Sequence, residues 1–86
     1  MDQLKRGTQI LYVPSHAQGN PEHPDVEVGF VTSGPANGDA YFCRYWRKDG
    51  TDLRTKTCSE LTPIWTIVVK DTYPQEKIDA ALTEYC

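Results

Sequence analysis

VEVGFVTSGPANGDAYFCRYWRKDGTDLRTKT, residues 26–57, reads as three strands joined by two glycine-containing turns, GPANG at 34–38 and KDG at 48–50. The strands are VEVGFVTS (26–33), the aromatic-rich AYFCRYWR (40–47) and DLRTKT (52–57). A meander of this kind forms the middle of a small half-open barrel, and Gly29 marks a bend or bulge where such a barrel curls. Upstream, GTQILYV (7–13) supplies a further strand. Downstream, SELTP (59–63) reads as a single helical turn leading into IWTIVV (64–69), a buried last strand. Between the first two strands lies PSHAQGNPEHPD (14–25), with three prolines, a glycine and an asparagine in twelve residues. It reads as a long irregular loop, and loops of this length in small domains tend to be functional or mobile.

Residues 74–85 read as a short helix. Thr72 with Gln75 three residues on makes a capping box, and Pro74 falls in the first turn, where a missing N–H costs nothing. Ile78, Ala81, Leu82 and Tyr85 then form one apolar stripe. A helix this short is marginal alone in water, so the stripe is expected to dock on the barrel.

A chain of 86 residues supports one domain with one modest core, burying somewhat over about 60% of its unfolded surface. Hydrophobic content of 38% and a mean hydropathy of −0.58 fit a small folded domain and argue against disorder. No apolar stretch approaches the roughly 20 residues that span a bilayer, so no membrane partner is expected. MDQLKRGTQ has neither the apolar region nor the cleavage site of a signal peptide. Three cysteines, Cys43, Cys58 and Cys86, are odd in number and widely spaced, which argues for a reducing compartment, by default the cytoplasm. Cys43 is expected to be a small buried hydrophobe and Cys86 an exposed terminal thiol. A net charge of −3 and a pI near 5.2 disfavour non-specific polyanion binding by the whole molecule. Yet five basic residues and two acidic ones lie between Arg44 and Lys56.

The hairpin around Gly50 can close in two registers. A two-residue Asp49-Gly50 turn pairs Tyr45 with Arg54 and puts Arg44, Trp46 and Leu53 on the other face. A three-residue loop with Gly50 left-handed pairs Tyr45 with Leu53, Cys43 with Thr55 and Tyr41 with Thr57. A one-residue slip exchanges the faces of a strand, so burial cost arbitrates. The second register gathers Tyr41, Cys43, Tyr45 and Leu53 inward and turns the charges outward, whereas the first mixes charged and apolar groups on both faces. The second is therefore expected, and it collects Phe42, Arg44, Trp46, Arg54 and Lys56 on one outer face. Two readings of that face stay open. The C-terminal helix or Trp65 covers its rings, with arginine stems packed over them, or it is a partner surface anchored by aromatics and cations.

His16, His23, Asp25 and Glu27 in and beside the long loop are ligand types for a transition metal. Their spacing matches no tight chelate, Pro24 holds His23 extended, and no cysteine pair supports a zinc site. The expectation is a loop whose polar side chains cap its own backbone, Asp25 in an Asx-type turn, with no metal and no cofactor. Ser15 beside His16 is not a nucleophile–base pair, because adjacent side chains in an extended loop point apart. The chain has no glycine-rich phosphate loop, no G-x-S-x-G and no paired-carboxylate signature, so no enzyme is expected.

YVPSHAQGNPEHPDVEVGFVTS followed by AYFCRYW resembles a recurrent segment in small proteins of tailed bacteriophages and environmental sequences. There a YVP-x-HA-x-G-(D/N)-x-x-HPD-x-E-x-G-x-V-T-S run precedes an F-x-R-(F/Y) strand. The matching positions are Tyr12–Pro14, His16, Ala17, Gly19, Asn20, His23–Asp25, Glu27, Gly29, Val31–Ser33, Phe42, Arg44 and Tyr45, spread over roughly half the chain. The resemblance implies a phage-encoded protein in the host cytoplasm and carries no activity with it. By broader shape the chain is similar to SH3-like barrels of the Tudor and KOW kind, which bind peptides or nucleic acid through aromatics near the first loop. Methyl-lysine reading needs an aromatic cage, and residues 14–25 hold no Phe, Trp or Tyr. The fold expected is mainly β, an SH3-like antiparallel half-open barrel with a C-terminal α-helix. Its expected role is a non-catalytic binding module for a protein partner. The alternatives are nucleic-acid binding through the Trp46 face and a metal-binding loop at 14–27.

Overall fold

The structure, a computed structural model, describes residues 3–54 and 59–85. Five strands, β1 (Gln9–Tyr12), β2 (Glu27–Ala36), β3 (Ala40–Tyr45), β4 (Glu60–Pro63) and β5 (Ile67–Val69), form one antiparallel sheet in the order β4-β3-β2-β1-β5. One helix, α1 (Gln75–Tyr85), follows. The protein is mainly β, and the sheet does not close: β4 and β5 are its edges. No helix among the described residues is long and apolar enough to cross a membrane.

Alternation along the central strands gives the sheet two apolar faces. Ile10, Val31, Tyr41, Cys43, Tyr45 and Ile67 pack together on one side. Phe30, Trp46 and Leu53 lie on the other, under Ile78 and Ala81 of α1. Leu11, Val13 and Ala17 form a third cluster that anchors the start of the long loop. The expected docking of the helix stripe is therefore seen at Ile78 and Ala81, with Leu82 half-buried beside them. The side chain of Tyr85 lies outside the described residues.

The hairpin closes in the register that burial cost disfavoured. Trp46 bridges Leu53, and the Arg54 N–H donates to the Tyr45 carbonyl at 2.7 Å. Gly50 is left-handed as expected, with φ of 74°. The tight turn is 47–50, closed by the Gly50 N–H on the Arg47 carbonyl at 2.8 Å. Thr51 adds one more loop residue, held by its N–H and hydroxyl on Asp49 Oδ1, and that residue shifts the pairing by one. The burial argument assumed one dry face. Both faces are dry, so Trp46 and Leu53 lose nothing by turning away from Tyr45.

Five further expectations are corrected. Residues 59–63 hold no helical turn: Glu60–Pro63 is an edge strand with Phe42 opposite Leu61 and Tyr41 opposite Thr62. Thr62 is buried and bonds the Tyr45 hydroxyl, which is what draws β4 onto the sheet. Pro63 ends this edge strand, where no ladder N–H is required. Residues 64–66 form a 3-10 turn, and only 67–69 are strand, with Val68 and Val69 exposed on the edge. β2 runs through Gly34 and Pro35 to Ala36, because Asn37 and Gly38, both at positive φ, make the turn. The register irregularities of β2 lie between Val31 and Ala36, not at Gly29. Gly29 is instead a close-approach site, where a Cβ would strike the Arg44 carbonyl oxygen and the Tyr45 ring. Of the expected strand 52–57, Leu53 makes only an isolated bridge, and 55–57 lie outside the described residues.

The capping box does not form. The Thr72 N–H and Tyr73 N–H both donate to Oε1 of Gln9, at 3.1 and 2.9 Å, and Gln9 Nε2 donates to the Tyr73 carbonyl at 2.7 Å. Gln9 is buried, so its amide does in the interior what water would do at a free helix start. Gln75, the first helical residue, bonds Gly7 and Asp79 rather than reaching back to Thr72.

Two outcomes follow from this packing. Ile78 is fully buried, so Ile78→Ala should lower stability by about 2–5 kcal/mol in denaturant unfolding. A change within 0.5 kcal/mol would mean that α1 is undocked in solution. Cys43 is fully buried, and burial pushes its thiol up to about 11. At pH 8 a maleimide should leave Cys43 unlabelled in the native protein and label it in denaturant, as read by peptide mass spectrometry.

Candidate functional site

The five residues expected on one outer face do not share one. Trp46 is buried, with its ring centroid 5.7 Å from those of both Phe30 and Tyr73. Lys77 of α1 holds its ammonium 4.6 Å from the Trp46 ring centre and 4.1 Å from that of Tyr73, and bonds the Gly50 carbonyl. This aromatic cluster is thus filled by the protein's own lysine. Arg44 is buried on the same side as Trp46. Phe42 is half-exposed and lies opposite Leu61. Arg54 belongs to a different region, where it forms an ion pair with Glu27. Lys56 lies outside the described residues. The reading in which the helix covers the rings holds, and Trp65 takes no part in it, being 69% exposed.

The long loop gathers ligand types. A 3-10 turn at Ser15–Ala17 ends on Gln18 in the left-handed region, and buried Ala17 pins it to Leu11 and Val13. Lys48 reaches across from the hairpin and donates to the carbonyls of Pro24 and Val26 at 2.7 and 2.8 Å. These ties turn the chain back on itself. His16 Nε2 then meets Asp25 Oδ2 at 2.6 Å, and the His16 and His23 rings sit edge to face at 5.2 Å. The hydrogen bond from His16 holds the Asp25 carboxyl below the usual carboxylate range, with the charges of His16, His23 and Lys48 adding to it. Glu27 is not in this group, because Arg54 holds it. The Asx-type contacts belong to Asn20, whose Oδ1 accepts the Glu22 N–H at 3.0 Å, and to Asp49. Asp25 makes none.

Two clefts share Tyr12 and Glu27 as a common wall. One, of about 320 Å³, opens toward His16, Asp25, Lys48 and Arg54. The other, of about 230 Å³, lies against β4 and is bordered by Glu60, Leu61 and Pro63. Leu61 and Trp65, on either side of Pro63, are both largely exposed. Reading 59–63 as a helical turn hid this second cleft. Once β4 is a strand, alternation puts Leu61 opposite to buried Thr62, and that is the signal that could have found it.

Comparison of the chain with family models, with curated proteins and with solved structures gives no match in any of the three. What the site does must therefore be argued from its geometry.

Trp46→Ala should destabilise the fold by about 3–5 kcal/mol, the cost of truncating a buried aromatic. A stable, fully folded variant would mean that the indole is free for a partner.

Proposed function

We propose that this protein is a non-catalytic binding module on an SH3-like half-open barrel, and that it takes an extended segment of a protein partner along the β4 cleft. The strand order β4-β3-β2-β1-β5, the long loop between β1 and β2 and the 3-10 turn before β5 support the SH3-like reading. One observation carries the choice of surface. Leu61 is a large apolar group held half in solvent at a groove walled by Tyr12 and Pro63, and Trp65, two residues beyond Pro63, is exposed as well. Exposed tryptophan and tyrosine are the side chains that anchor interfaces, and β4 is an open sheet edge. Glu60 at the groove favours a segment with a basic residue next to its apolar anchor. The phage-type resemblance favours a role in an infected host cytoplasm.

A nucleic-acid partner draws on the cleft bordered by Arg47, Lys48, Leu53 and Arg54. Stacking needs an exposed ring there, and Trp46 is buried, while Glu27 already engages Arg54. The peptide reading is the better supported.

Selection of a displayed random-peptide library on the immobilised protein tests it. Enriched peptides should pair an apolar residue with a basic one. Leu61→Glu and Trp65→Ala should weaken them at least about tenfold while stability stays within about 0.5 kcal/mol. No enrichment, or enrichment indifferent to both variants, overturns the proposal. Tight binding of a labelled oligonucleotide that falls steeply with salt would favour the rival.

A further inference from the structure

We infer that His16, His23 and Asp25 form a binding site for one divalent first-row transition ion, with zinc as the natural occupant of two imidazoles and a carboxylate. Each residue offers one ligand atom, and the three atoms lie within 4.8 Å of one another. His16 Nε2 and Asp25 Oδ2, at 2.6 Å, are closer than the separation of about 3.3 Å between two ligands on a tetrahedral zinc ion with bonds near 2.0–2.1 Å. The ion would take the place of the shared hydrogen and part the two atoms by less than about 1 Å.

The loop is held by buried Ala17, by the Lys48 ammonium on the Pro24 and Val26 carbonyls, and by the Asn20 turn. His16 and Asp25 are both mostly exposed, and their bond ties nothing buried. His23 Nδ1 accepts the Asp25 N–H at 3.0 Å, and an ion would take that lone pair in place of the backbone N–H. Two imidazoles set edge to face around an ionised carboxylate are a donor set awaiting a cation.

Three protein ligands leave a fourth position on the ion. The cleft bordered by Tyr12, Pro14, His16, Asp25 and Lys48 adjoins it, so water or a partner's donor atom can complete the shell. The ion would staple residues 16 and 25 of the loop together. This inference stands independently of the peptide groove: it uses neither Leu61 nor Trp65.

The test is calorimetric titration of the full chain with zinc chloride, in a background carrying Cys58→Ser and Cys86→Ser so that neither thiol competes. One ion per chain is expected. His16→Ala, His23→Ala and Asp25→Asn should each weaken binding at least about tenfold, as loss of a ligand exceeds the usual outer-shell effect. Glu27→Gln and Leu61→Glu should bind as the parent does. Zinc should also raise the melting temperature of the parent and not of His23→Ala, because an ion that binds only the folded chain stabilises it. Cobalt substitution should give visible absorption bands that His23→Ala lacks. Non-saturating uptake, or binding that survives all three ligand variants, overturns the inference.

Discussion

Trp46 stands at the end of a central strand on the face opposite Tyr41, Cys43 and Tyr45, and the C-terminal third of the fold is arranged around covering it. An open sheet has two faces, and each needs its own cover. The indole and Phe30 project from one, and leaving them in water would forfeit about 1.5–3 kcal/mol per side chain. Helix α1 supplies the cover through Ile78 and Ala81, and Tyr73 closes the side of the cluster. Lys77 adds a cation over two rings and reaches the hairpin carbonyl of Gly50, so it joins helix, aromatics and turn at one point. Gln9 sets where the helix begins. Its buried amide satisfies two N–H groups and one carbonyl at residues 72–73, which fixes the helix start against β1.

That arrangement decides where function can lie. A sheet with both faces covered leaves its edges and its loops as the free surface. The β4 edge carries Leu61 and leads into Trp65, and the β1–β2 loop carries the two imidazoles with Asp25. The two clefts meet at Tyr12 and Glu27, so the proposed peptide groove and the proposed ion site are neighbours along one side of the molecule. Lys48 and Arg54 lie between them, and both are spent on holding loop and strand in place rather than displayed as free charge.

Much of this was legible in the residues. Strands at 9–12, 27–33 and 40–45, the long Pro-rich connection and an amphipathic C-terminal helix all follow from turn chemistry, β-propensity and the i, i+3, i+4 spacing of Ile78, Ala81 and Leu82. These depend on neighbours in sequence, and neighbours in sequence are what a reading of the chain sees. The burial of Cys43 and the left-handed Gly50 were within reach for the same reason.

Register, cover and convergence were decided only by the tertiary structure. Whether Leu53 faces Tyr45 or Trp46 turns on one loop residue, Thr51, and on whether a second element is present to dry the far face. Glu60–Pro63 became a strand because buried Thr62 meets the Tyr45 hydroxyl, seventeen residues away in sequence. Gln9 took the N–H groups that Thr72 and Gln75 seemed placed to cap, sixty-three residues downstream. His16 and Asp25 came together because Lys48 and Ala17 fold their loop back on itself. Each of these outcomes rests on a contact between distant residues. Short-range propensity is blind to such contacts, since their free energy appears only once both partners have left water together.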